Sequence, residues 1–190
     1  MELGRNASWG WICFLFAAQA IGSMAIAKLF RLDLRELIIP IVILCAGVFV
    51  SAIFQQSESG RFGKWQWWVP ALIYALFIFA LSDRAYPDAK PVFSTKVFHP
   101  VEYFVLGFFI SLALLPGFRR KGLLVFSSRV FLLGVLFAAS DEIHQAFIPG
   151  RGPSLKDVLV WDLMGICLGW ASMLTLRRLL NAVDSTDKAG

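Results

Sequence analysis

In this chain of 190 residues, 58% are hydrophobic and 16% charged, and the apolar residues come in long blocks. That balance excludes a soluble globular domain and points to a polytopic membrane protein. The formal net charge of +5 comes from Lys and Arg scattered through the loops between apolar runs. A dispersed charge of that kind argues for topology signals and against a nucleic-acid partner.

The first apolar run, about Trp9 to Phe30, is too long for an ordinary signal peptide and is read as a retained transmembrane helix. The second, about Leu34 to Phe54, carries Pro40 near its start, which a membrane helix tolerates. Polar residues from Gln55 to Lys64 then lead to Trp65, Trp67 and Trp68, whose rings suit a headgroup belt before a third helix ending near Leu81. The two prolines between Asp83 and Pro91 predict a loop, followed by a fourth helix from about Lys96 to Leu115. Pro116 and Gly117 are expected to stop it, and Arg119, Arg120 and Lys121 to form a basic turn before a fifth helix from about Val130 to Ile148. A sixth runs from about Leu155 to Leu176, and the polar residues after Asn181 read as a disordered tail. The expected fold is an all-α membrane bundle of six transmembrane helices, or five if the first two form a hairpin that does not span.

Cys13, Cys45 and Cys167 lie in three different runs and read as packing residues, with neither a disulfide framework nor a thiolate metal site. Six antiparallel crossings bring the loop after helix three and the loop after helix five to one membrane face. His99, Glu102, Asp141, Glu142, His144, Gln145, Asp157 and Asp162 all fall in helix turns at that face. Ionisable groups there cost about 2.5–3.5 kcal/mol each to insert, so they are expected to face a protein interior or a watery cavity. The Arg119–Lys121 turn and the Arg177–Arg178 stop read as cytoplasmic anchors, which places both termini in the cytoplasm and the polar face outside.

Asp141, Glu142, His144 and Gln145 spread over about 160° of a helix, an arc too wide to face lipid. Their chemistry suits a general acid/base pair or a proton relay, and the plainer reading is a network that pins helices together. His99, Glu102 and Tyr103 share one stripe of helix four, which Lys96 extends outward. Two histidines among carboxylates are zinc-compatible, but without an HExxH or CxxC spacing no metal and no cofactor is expected. Ser154 and Asp157 have the spacing of a capping box. Asp162 shares a stripe with Gly165 and Gly169, whose small size predicts close packing, with helix five as the expected neighbour. Arg151 lies between Gly150 and Gly152 just before a helix N-terminus, an arrangement suited to an anion.

The runs Lys96-Val-Phe-His-Pro-Val-Glu102-Tyr103 to Gly107, Ser140-Asp-Glu-Ile-His-Gln145, Phe147-Ile-Pro-Gly-Arg151, then Asp157 and Asp162 to Gly169 together resemble the VanZ-like family of small bacterial membrane proteins. The resemblance covers about Trp68 to Leu176. It divides the chain into an N-terminal transmembrane pair (1–64), a VanZ-like helical domain (65–180) and a polar tail (181–190). It implies a multi-pass protein of the bacterial cytoplasmic membrane and cell envelope, its founding member being associated with lowered susceptibility to teicoplanin. It does not imply a settled reaction. On these residues the expected function is to bind or act on a polar or anionic envelope molecule, with membrane lipid and a lipid-linked or cell-surface glycan as partners. Glu142 or Asp141 is the expected general base, and His144 or His99, with Glu102 on the same face, the proton-exchanging group. Lys96, Gln145, Arg151, Asp157 and Asp162 are the expected binding residues. The rival readings are a transporter or proton relay, and an assembly factor.

Overall fold

Long apolar runs leave the backbone no hydrogen-bond partner except itself, and the chain answers with helices. The computed structural model describes residues 5–30, 33–57, 63–83 and 98–187, and these contain no strand. The helices are α1 (Arg5–Phe30), α2 (Ile38–Gln56), α3 (Val69–Ser82), α4 (His99–Leu114), α5 (Phe118–Gln145) and α6 (Leu163–Asp187). Among the described residues six helical segments are long and apolar enough to cross a membrane, the first two included, as the six-helix reading expects.

Three boundaries differ from those expected. The basic residues 119–121 belong to the first turn of α5, which breaks at Gly122 (φ 75°, ψ 171°) and then runs unbroken to Gln145. Ser127 and Ser128 do not delay the helix, because each hydroxyl donates to a carbonyl of the preceding turn, Leu123 at 2.8 Å and Val125 at 3.2 Å. At the other end, α6 continues through the residues expected to be a loose tail as far as Asp187. Its start is also unusual: Asp157–Asp162 forms a π-helical turn before the α-helix begins.

The first two helices are packed onto the bundle. Phe16 of α1 lies so close to Gly47 of α2 that a Cβ there would come within 2.6 Å of the ring. The same ring stacks on Phe109 of α4 at 5.2 Å, and Trp9 stacks on Trp67 at 5.1 Å. These contacts continue a single core through Tyr74, Phe77 and Leu106.

The closest backbone approach is between α4 and α6. A Cβ on Gly165 would meet Pro100 O at 2.6 Å, one on Gly169 would overlap Phe104 O, and one on Gly107 would lie 2.8 Å from Ile166 Cα. Small residues thus let two backbones touch. Helix four, and not helix five, is the neighbour of the Asp162 stripe, since the glycines that permit contact are matched on both sides of the α4–α6 seam.

Candidate functional site

The C-terminal ends of α3 and α5 meet the N-terminal ends of α4 and α6, and the polar side chains gather there. His99 is the first residue of α4, with Pro100 in its opening turn, where the missing N–H costs nothing. Its Nδ1 lies 2.8 Å from Asp162 Oδ1 at the base of α6. Asp162 is fully buried.

The π-helical turn explains how both acids of α6 reach this place. With α-helical winding, Asp157 and Asp162 would stand about 140° apart. Winding by i→i+5, at about 4.4 residues per turn, reduces that angle to about 50°, and both acids are buried.

Glu142, 5% exposed, reaches from α5 to the loop before α6, where its Oε2 accepts the Ser154 backbone N–H at 2.6 Å. Ser154 in turn accepts the Asp157 N–H on its Oγ at 3.2 Å. The Ser154 hydroxyl therefore caps the helix as the sequence predicts. The returning carboxylate of a capping box comes from another helix, Glu142 standing where a residue three positions on usually serves. His99, Glu142 and Asp162 each offer a side-chain atom within 4.8 Å of the others.

Asp141 forms an adjoining knot. Its Oδ2 accepts Ser82 Oγ at 2.9 Å and Gln145 Nε2 at 2.9 Å, with Tyr103 OH farther off at 3.5 Å. Gln145 also donates to Ser82 Oγ at 3.3 Å, closing a triangle between α3 and α5. The rings of Tyr103 and His99 lie nearly parallel, 6.3 Å apart, and so join this knot to the His99–Asp162 pair. Glu102, half-buried, is near enough to His99, Asp141, Arg151 and Asp162 to feel their charges. Arg151 Nη2 approaches Leu81 O at 3.4 Å, which ties the elbow to the end of α3.

The VanZ/LLP1 family model matches residues 7–177. The chain belongs to the VanZ/LLP1 family. Its match begins within α1, so it takes in the first two helices as well as the stretch from Trp68 onward that carries the quoted motifs. No curated protein and no solved structure matches the chain.

Of the residues singled out from the sequence of this VanZ/LLP1 protein, His99, Asp141, Glu142, Gln145, Asp157 and Asp162 come together, with Glu102 and Arg151 beside them. His144 does not join them. Its ring lies over Phe79 at 4.9 Å, and its Nε2 is 3.5 Å from the exposed Asp83. Two positions along the helix from Glu142, it is carried about 200° around the axis. Lys96 lies outside the described residues.

Sequence reasoning missed Ser82 and gave Tyr103 no partner. Ser82 carried a weak signal, as the polar residue that closes an apolar run immediately before Asp83.

Proposed function

We propose that this VanZ/LLP1 protein acts in the bacterial cell envelope, spanning the cytoplasmic membrane with both termini in the cytoplasm. Its outward polar cluster binds or acts on an anionic envelope molecule such as a lipid phosphate or a lipid-linked glycan. The observation that carries this reading is the burial of Glu142 and Asp162 beside His99, one group from each of α5, the π-turn and α4. Charged groups this far inside a membrane segment are retained for a partner they serve. Arg151, on a turn between two glycines before α6, supplies a planar fork for phosphate or carboxylate. In a catalytic version Glu142 is the general base, because its Oε1 has no hydrogen-bond partner among the described residues, and His99 exchanges the proton.

Asp141 supports the rival reading for its own part of the cluster. Its Oδ2 is engaged by Ser82 and Gln145, as expected of a group that holds α3 against α5.

The test is expression of wild type, Glu142→Gln and His99→Gln in a susceptible bacterial host, with teicoplanin susceptibility and membrane accumulation measured together. The proposal expects both variants to accumulate normally and to lose the wild-type change in susceptibility. Full activity in both would overturn it, and so would a wild type that leaves susceptibility unchanged.

A further inference from the structure

Three helical segments that are far apart in sequence each deliver one ligating group to the same buried spot: His99 from the start of α4, Glu142 from the last turn of α5, and Asp162 from the π-turn before α6. Their candidate ligand atoms lie within 4.8 Å of one another. Asp162 is fully buried and Glu142 5% exposed. Each carries one carboxylate oxygen, Asp162 Oδ2 and Glu142 Oε1, that is buried and has no hydrogen-bond partner among the described residues. Buried carboxylate oxygens are costly unless a donor or a cation meets them.

Charge points the same way. Glu102, Asp141, Glu142, Asp157 and Asp162 crowd this end of the bundle, and among the described residues His99 and Arg151 are the cations in their field. A divalent ion would offset the charge those carboxylates carry when ionised.

We propose that His99, Glu142 and Asp162 form a binding site for one divalent transition-metal ion of the zinc or manganese type. One imidazole with two carboxylates favours such an ion over calcium or magnesium, which prefer oxygen alone. The 2.8 Å between His99 Nδ1 and Asp162 Oδ1 must open to about 3.0–3.5 Å for the two to become adjacent ligands, each about 2.0–2.2 Å from a metal. The hydrogen that bridges those two atoms must leave for both to bind the ion, either to the imidazole's Nε2 or to solvent. Glu142 closes the third side by turning its free Oε1 inward while Oε2 keeps the Ser154 N–H, which fixes its orientation.

This inference assigns Glu142 Oε1 and His99 to the ion in place of the base and proton-exchange roles of the catalytic version, and it is tested apart from the envelope function because the ion is measured alone. Full-length protein purified in detergent is stripped with chelator and dialysed separately against Zn²⁺ and Mn²⁺. Bound metal is then counted by mass spectrometry, and Co²⁺ is added as a visible probe of an imidazole-containing site. The expected result is about one ion per chain. Glu142→Gln and Asp162→Asn preserve shape and, through their amide oxygens, the Ser154 and His99 contacts. Each should weaken binding at least about tenfold, and His144→Gln should leave it unchanged.

If wild type retains neither metal, or if both carboxamide variants bind as tightly as wild type, the site does not exist. Should Asp162→Asn fail to accumulate, Glu142→Gln decides alone. A protein that takes up the ion but shows no envelope phenotype keeps this site and loses the functional proposal.

Discussion

Glu142 on α5 and Ser154, twelve positions later in the chain, are joined by a 2.6 Å hydrogen bond from the serine backbone to the carboxylate. The bond makes one side chain serve as both a cap for the sixth membrane segment and a wall of the polar cluster. Glu142→Ala removes the acceptor and leaves a partly buried N–H without its carboxylate, at a cost of about 1 kcal/mol or more. Glu142→Gln keeps an acceptor oxygen and should cost much less. Thermal unfolding of both variants in detergent checks this, and equal destabilisation would show that the charge, not the acceptor, holds the loop.

His99 and Asp162 should prove energetically coupled, because their 2.8 Å contact lies at the seam of α4 and α6. In a double-mutant cycle with His99→Ala and Asp162→Ala, the expected coupling is about 0.5–3 kcal/mol. Strict additivity of the two losses would mean that the pair is adjacent without interacting.

The seam itself predicts a sharp contrast between glycines. Gly169→Ala places a methyl group against the Phe104 carbonyl, which is backbone and cannot swing away, so the two helices must separate at a cost of about 1–3 kcal/mol. A Cβ on Gly152 meets nothing within 4 Å among the described residues, and Gly152→Ala should change stability by less than about 0.5 kcal/mol. Unfolding midpoints for the two variants give the comparison directly.

The two histidines should behave differently. His144 lies against Phe79 and the exposed Asp83, away from the buried acids, so His144→Gln is expected to retain wild-type function at normal protein level. His99→Gln is expected to lose it. Loss of function in the first variant, with the protein still in the membrane, would return His144 to the site.

Arg151 offers a planar fork beside the Leu81 carbonyl. Arg151→Lys preserves the charge but not the fork, and should weaken function substantially, close to the effect of Arg151→Ala. Complementation by the lysine variant at wild-type level, with alanine alone impaired, would reduce Arg151 to a headgroup anchor.

Six membrane segments, their antiparallel order and the family were legible in the sequence itself. A run of some twenty apolar residues has one stable backbone in a bilayer, and alternation of crossings then dictates which ends share a face. The same logic brought His99, Asp141, Glu142, Gln145 and Asp162 to one end of the bundle. Rotation about each helix axis and the choice of neighbour were not legible, because they depend on contacts between residues far apart in the chain. Gly165 and Gly169 announced a close approach, but the matching surface at Pro100, Phe104 and Gly107 lies on α4, and no local pattern names it. Likewise His144 is two residues from Glu142 yet faces elsewhere, and the π-helical turn brings to one side two acids that α-helical counting sets apart. A metal-ligand spacing could not be read along the chain because each proposed ligand comes from a different segment. Only the packing of helix on helix, where backbone contact selects the partner and the partner selects the rotation, assembled them into one site.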